Sequence, residues 1–274
     1  DLLFSSIDFF DVINGFGGID TVSYAFAFAA VNVDLSIRGF QNTGGSFFDR
    51  LINIENLIGT QLNDTLSGDG GNNELDGGAG TDTVSYRSAT AGVVVDLSLG
   101  FQNTVGAGWD TLKNFENLTG SKYNDILKGN ASNNVLNGGA GTDTVAYDNA
   151  LAGVTVSLAL ATPQNTIGAG IDSLISFENL TGSKFNDKLA GSAENNSLSG
   201  LDGNDVLIGS IGYDRLDGGA DSDTVDYSNL GGPVILKDFG FVDKAAFGED
   251  KIGNVETVLA STGSGDSIDY SGSF

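Results

Sequence analysis

Gly77-Gly78-Ala79-Gly80-Thr81-Asp82-Thr83-Val84-Ser85-Tyr86 reads as a glycine turn running straight into a strand. The glycines allow positive φ and close approach of the backbone. The segment is one beat of a nine-residue repeat. Asn63-Asp64-Thr65-Leu66-Ser67-Gly68 and Asn72-Asn73-Glu74-Leu75-Asp76-Gly77 precede it, so units start at 63, 72 and 81. The beat returns at 115, 124, 133 and 142, and again at 177, 186, 195, 204, 213 and 222. Each unit has an apolar residue at its fourth place, usually Gly at its sixth and Asp or Asn at its second. A period this short implies a solenoid in which each repeat is one strand plus one turn, stacked on its neighbours.

A longer period sits above the nonapeptide. Asp-Thr-Val-x-Tyr occurs at Asp20, Asp82, Asp143 and Asp223, and Glu-Asn-Leu at Glu55, Glu116 and Glu178. The third interval is longer because it holds two additional nonapeptides, starting at 204 and 213. Between the ladders, Val31, Val33, Leu35 and Ile37, then Val93, Val95, Leu97 and Leu99, then Val154, Val156, Leu158 and Leu160 alternate with other residues, a period-two pattern that predicts half-buried strands over 25–37, 93–99 and 154–160. The apolar run Val22 to Val33 reads as buried strand. Each alternating stretch leads to a Gln-Asn-Thr turn (Gln41, Gln102, Gln164). Trp109, Leu112, Phe115 and Leu118 are spaced by three, which suits a helix, but Phe115 keeps the nonapeptide phase and the neighbours are Gly, Asn and Thr, so bent solenoid rungs are expected. The predicted fold is all-β: a parallel β-roll or β-solenoid of stacked nonapeptide rungs, interrupted by hairpin or strand insertions in super-repeats of about 61 residues. One elongated domain over 1–274 is expected, in units 1–24, 25–86, 87–147, 148–227 and 228–274. Asp1 to Phe9 fits the beat, with Phe4 nine before Ile13 and Ile13 nine before Val22. Asp266 to Tyr270 echoes Asp-Thr-Val-x-Tyr, so both ends read as joints within a repeat.

Composition narrows the chemistry. Among 274 residues, 12 are Lys or Arg and 36 are Asp or Glu, a net charge of −24. Such a charge repels DNA, RNA and anionic lipid and destabilises the compact state by self-repulsion. Cations bound only by the folded chain would offset it. The 41 glycines are about twice the usual share. His, Cys and Met are absent, which removes disulfides, imidazole catalysis and the usual zinc or copper ligands. Hard oxygens from Asp, Asn and backbone carbonyls remain, and these suit calcium, which takes six to eight. One turn supplies too few; two stacked turns supply enough. No run of 18 apolar residues predicts a membrane-spanning helix.

The turns Gly77 to Asp82 and Gly138 to Asp143 resemble the calcium-binding nonapeptide Gly-Gly-x-Gly-x-Asp-x-apolar-x of the RTX family. The resemblance covers the ladders. It implies coils of two strands, with several calcium ions between turns two repeats apart. Asp64 would then pair with Asp82, Asp125 with Asp143, Asp187 with Asp205 and Asp205 with Asp223, and on the opposite edge Asn196 with Asp214. The metal residues so implied are Gly59 and Asp64; Gly77, Gly78, Gly80 and Asp82; Asp125; Gly138, Gly139, Gly141 and Asp143; Asp187; Gly200, Asp202, Gly203 and Asp205; Gly209, Gly212 and Asp214; and Gly218, Gly219, Asp221 and Asp223. The turn Gly218 to Asp223 replaces one glycine with Asp221. Asn73, Asn134 and Asn196 stand where Asp is expected, which makes weak or empty edges. Ser121-Lys122-Tyr123 and Ser183-Lys184-Phe185 lack most glycines and bring a cation near the turn. The ladder 177–227 is the richest. Tyr24, Tyr86, Tyr147 and Tyr227 are expected to cap the core rather than bind a ligand.

Paired carboxylates are abundant, as a glycosidase requires, but their spacing follows the repeat, so no enzyme is expected. The expectation is a bacterial secreted calcium-binding repeat protein that folds on calcium. It would serve a structural or adhesive role at the cell surface, as a surface-layer, adhesin or filament subunit. Its partners would be calcium and either itself or other surface components, with no nucleic acid and no membrane insertion. The alternative is a non-catalytic RTX module of a larger type I-secreted enzyme or toxin.

Overall fold

The computed structural model describes residues 1–5, 10–262 and 264–269, with only the backbone for Ile268 and Asp269. Two compact units divide the chain, Asp1–Asn130 with Asn134–Asp143, and Ala131–Asn133 with Thr144 onward. Among the described residues there is no α-helix; short 3-10 turns occur at Asp238–Gly240 and Ala245–Phe247. The protein is all-β, with parallel strands of mostly three residues.

In the first unit the rungs alternate between two parallel sheets. One stacks Leu2–Phe4, Thr21–Ser23, Asn56–Ile58, Glu74–Asp76 and Trp109–Lys113. The other stacks Asn32–Asp34, Thr65–Ser67, Thr83–Ser85, Asn117–Thr119 and Val135–Asn137. Leu57 faces Leu75 and Leu66 faces Val84, both 18 residues on, so one coil is two nonapeptides. In the second unit the long ladder does the same. Asn179–Thr181, Ser197–Asp202 and Arg215–Ala220 form one wall, and Lys188–Ala190, Val206–Ile208 and Thr224–Asp226 the other.

The fourth-place residue of each nonapeptide makes the core. Leu57, Leu66, Leu75, Val84, Leu118, Leu127 and Leu136 in the first unit are fully buried, as are Leu189, Leu207 and Val225 in the second. Burying each such side chain stabilises the stack by about 2 kcal/mol. With one apolar side chain per nine residues, no single rung can hold itself together; only stacking does.

The insertions differ from the sequence expectation. The alternating stretches form strands of three residues only, Asn32–Asp34, Val94–Asp96 and Thr155–Ser157. Val93 and Val95 are buried, but Leu99 is exposed and Leu97 sits in a turn. The run Val22 to Val33 is not a continuous buried strand. It breaks after Thr21–Ser23, and Phe26 and Phe28 project into solvent. The turn is set by the Ala27 N–H donating to the Tyr24 carbonyl (2.9 Å), which alternation alone does not reveal. After Val94–Asp96, which pairs in parallel with Ile126–Lys128, the chain returns through the antiparallel pair Phe101–Asn103 and Trp109–Lys113. Leu112, Phe115 and Leu118 are therefore rung residues, all buried, while Trp109 is half-exposed and stacks on Phe101. At the N-terminus Leu3, not Phe4, registers with Val22, one residue off the expected phase. Part of that expectation, residues 6–9, lies outside the described residues, as does Tyr270. Ser267–Asp269 pairs in parallel with Ile235–Lys237.

Candidate metal centre

The ladder acids lie on the turns between rungs, and the expected partners are neighbours along the stack. The backbone N–H of Asp64 donates to Asp82 Oδ1 (2.7 Å), that of Asp125 to Asp143 (2.8 Å), that of Asp187 to Asp205 (2.8 Å), that of Asp205 to Asp223 (2.8 Å) and that of Asn196 to Asp214 (3.0 Å). One oxygen of each downstream acid thus locks the register. The second oxygen sorts the turns into distinct kinds.

In the first kind it is bare. The buried Oδ2 atoms of Asp82, Asp205 and Asp223 have no hydrogen-bond partner, and neither has that of Asp20. Each points at a glycine where another oxygen arrives from the next coil. A methyl built on Gly77 would lie within 3.0 Å of both Asp82 Oδ2 and the Asn114 carbonyl. On Gly200 it would meet Asp205 Oδ2 and the Gly218 carbonyl, on Gly218 it would meet Asp223 Oδ2 and the Asn254 carbonyl, and on Gly15 it would meet Asp20 Oδ2 and the Asn53 carbonyl. Asn53, Asn114 and Asn254 adopt φ of 52, 56 and 50°. These hollows, which a Cβ would fill, gather a carboxylate oxygen and a carbonyl oxygen with no protein donor between them. That is the donor chemistry of a hard divalent cation.

Burial without a counter-charge shifts these groups. Burial, reinforced by Asp64 and Glu116, lifts Asp82 to about 6. Burial, reinforced by Asp187 and Asp223, lifts Asp205 to about 7. Asp223 is raised by burial, with Glu256 and Asp221 adding to it. The Glu-Asn-Leu motif has its explanation here. Glu55 Oε2 accepts the Asp20 N–H (2.9 Å) and Glu116 Oε2 the Asp82 N–H (2.8 Å), and Glu256 does the same for Asp223 (2.7 Å).

In the second kind the turn satisfies its own acid. Asp64, Asp125 and Asp187, all expected as ligands, each already accept three protein hydrogen bonds. For Asp64 these come from the Thr60 N–H (2.5 Å), the Thr60 hydroxyl (3.0 Å) and the Val31 N–H (2.8 Å). Ser121 and Val93 serve Asp125, and Ser183 and Val154 serve Asp187. The residue after the first glycine decides between the two kinds. At Gly78 (φ +95°) the N–H donates instead to Asp76 (3.1 Å), leaving Asp82 bare. Asp266 Oδ1 holds the Val234 N–H (2.8 Å) as Asp64 holds that of Val31.

In the third kind, on the opposite edge, asparagine stands in the acid's place and supplies its own donor. Asn73, Asn134 and Asn196 accept the N–H of Asp69, Asn130 and Ser192. Each also donates Nδ2 to a carbonyl one coil away, that of Glu55 (2.8 Å), Glu116 (2.8 Å) and Glu178 (2.9 Å). The acids that continue this edge are met by tyrosine. Tyr86 OH donates to Asp110 Oδ2 (3.0 Å), Tyr147 OH to Asp172 (3.1 Å) and Tyr227 OH to Asp250 (2.8 Å). These buried tyrosines bridge core and edge, and burial, then the neighbouring Asp, holds their hydroxyls well above the usual range.

The remaining expected residues fall as follows. The turn Gly138-Gly139-Ala140-Gly141 matches that of Asp82 in backbone, with φ of +101° at Gly139 and +141° at Gly141. Gly59 faces the Gly77 carbonyl as well as Asp64 Oδ2. Gly80, Gly203, Gly212 and Gly219 pass tightly over carbonyls of the preceding coil. Gly209 differs: its Cα faces the ring of Tyr227, not a carboxylate. Asp202 and Asp221 sit on the exposed rim, where Asp221 accepts the Gly203 N–H (3.3 Å). Asp214 is ion-paired with Lys244 (3.4 Å). Among the described residues no three acidic side chains converge on one point, so a cation here would rely on carbonyls. Asp20 escaped the sequence reading because Phe16 occupies the second glycine place of Gly15-Phe16-Gly17-Gly18-Ile19-Asp20. Phe16 nevertheless adopts φ of 65°, the region that glycine prefers there.

Parallel nonapeptide coils with oxygen-lined hollows at their turns, found in each unit, define a cation-binding repeat protein. The RTX calcium-binding nonapeptide repeat matches in four copies, at residues 54–87, 115–145, 181–216 and 199–229, so the chain carries RTX repeats and is a calcium-binding repeat protein. A search of curated proteins gave no match.

Proposed function

We propose that the chain is an extracellular calcium-folded solenoid with a structural or adhesive role at the cell surface. The bare, buried Oδ2 atoms of Asp20, Asp82, Asp205 and Asp223 carry this reading. A neutral-pH chain without cations must either protonate them or bury unpaired charge, and both options weaken the fold. Calcium at extracellular concentration suits turn sites of roughly 10⁻⁴–10⁻³ M affinity. An unfolded state in the low-calcium cytosol suits type I secretion. Exposed aromatic rings favour a surface role: Phe10 packs on Phe48 (5.6 Å) and Phe40 (5.8 Å), and Phe4 on Phe26 (5.7 Å), with Phe10 and Phe26 largely open to solvent. Apolar patches of this kind mark interaction surfaces. The metal ligands in this reading are the Oδ2 atoms of the bare turns and the carbonyls of Asn53, Asn114, Gly218 and Asn254 beside them.

A second reading, a non-catalytic module of a larger secreted enzyme or toxin, keeps the same calcium chemistry. Far-UV circular dichroism from chelator to about 10 mM calcium, with magnesium as control, tests the shared part. A cooperative coil-to-β transition with calcium alone is expected; a chain fully folded in chelator at pH 8 sinks it. Sedimentation in calcium separates the two readings, since a strictly monomeric chain at high concentration counts against assembly.

A further inference from the structure

Lys244 is fully buried, at 0% exposure. Its ammonium donates to the Ser210 carbonyl (2.7 Å), to Asp214 Oδ2 (3.4 Å) and to Asp250 Oδ1. Two carboxylates and a carbonyl therefore surround one positive charge, on the edge where asparagine and tyrosine elsewhere do the work.

The chain's own repeats provide the control. Lys244 leads a turn that ends in Gly248-Glu249-Asp250. Thr104 leads the equivalent turn ending in Gly108-Trp109-Asp110, and Thr166 the one ending in Gly170-Ile171-Asp172. In all three the leading residue is fully buried and its N–H donates to the glycine carbonyl, at 2.9 Å for Thr104 and Thr166 and 2.8 Å for Lys244. The acid ending the turn locks the coil below: Asp110 Oδ1 accepts the Asn73 N–H (3.0 Å), and Asp250 Oδ1 accepts the Asp214 N–H (2.9 Å). Asn73 with Thr104 has thus become Asp214 with Lys244. One change adds a negative charge, the other a positive charge, and the two groups touch.

We propose that the Lys244 ammonium is the permanent occupant of a cryptic divalent-cation site formed by Asp214, Asp250 and the Ser210 carbonyl. The charge that Asp214 adds over Asn73 is thereby offset without metal, while the bare turns of Asp205 and Asp223 are left to calcium. Only the identity of the replacing ion rests on the calcium reading above.

The test compares three full-length chains: wild type, Lys244→Thr, and Asp214→Asn with Lys244→Thr, which restores the pair found in the other repeat. Urea unfolding is followed in chelator and in calcium, and bound calcium is counted by equilibrium dialysis. Removing one partner of a buried ion pair leaves an uncompensated charge, so Lys244→Thr in chelator should lower the folded-to-unfolded ratio by at least about 100-fold. Calcium should restore it and add one ion per chain over wild type. The double variant should match wild type in chelator within about tenfold and bind no additional ion. A Lys244→Thr chain that calcium neither rescues nor loads with an additional ion overturns the proposal. So does a double variant no more stable than the single. A wild type that binds no calcium overturns the proposed function instead, and the chelator comparison then decides by itself whether Lys244 neutralises Asp214.

Discussion

Asp205→Asn should change stability in opposite directions with and without calcium. Asp205 lies at the centre of the long ladder, 1% exposed, with Oδ1 on the Asp187 N–H and Oδ2 bare beside Gly200 and the Gly218 carbonyl. Burial lifts it to about 7, against about 3.9 in an unfolded chain. The gap corresponds to about 4 kcal/mol. A carboxyl raised on folding contributes stability that is fully present below pH ~4 and is lost as pH rises through about 7. In chelator at pH 8 the ionised Asp205 is therefore a liability of that order. Asparagine removes the charge and brings an amide that can donate to the Gly218 carbonyl, as Asn73 donates to that of Glu55. Urea melts in chelator should show Asp205→Asn more stable than wild type at pH 8, by up to about 4 kcal/mol, with the difference vanishing near pH 4. In millimolar calcium the sign should reverse and one ion should be lost. If Asp205→Asn destabilises the chain equally with chelator and with calcium, the carboxylate is held by protein alone and the hollow is not a cation site.

Gly200→Ala places a methyl against Asp205 Oδ2 and the Gly218 carbonyl. It should raise the calcium midpoint in a dichroism titration far more than it lowers stability in acid, where Asp205 is protonated. Leu207→Ala empties a fully buried core position and should cost about 3 kcal/mol in urea melts, with or without calcium. Tyr86→Phe removes the donor to Asp110 Oδ2 (3.0 Å). It should cost about 1–3 kcal/mol and push Asp110, already lifted to about 6 by burial, still higher, seen as a steeper loss of stability above pH 6 with no change in bound calcium.

The nine-residue beat determined the all-β class, the stacking and the core, because one apolar side chain per nonapeptide can be buried only by stacking at a fixed period. That a coil takes two repeats, which sets Leu66 against Val84 and Asp64 against Asp82, was implied by the resemblance to the RTX nonapeptide and not by the period. The alternating insertions were less legible, because alternation reports which side faces inward but not where a turn such as that after Tyr24 ends the strand. The tertiary structure alone decided which acids are bare. Asp64 and Asp82 both close a nonapeptide turn, and although Thr60 stands where the second turn has Gly78, that difference does not by itself tell which acid is satisfied. The donors that satisfy Asp64 come from Thr60 and from Val31, 33 residues away, whereas the peptide at Gly78 turns its N–H away from Asp82. The same holds for Asp214, whose counter-charge arrives from Lys244, 30 residues on. A carboxylate's need for a cation is set by every donor that reaches it, and most of those donors lie on other coils.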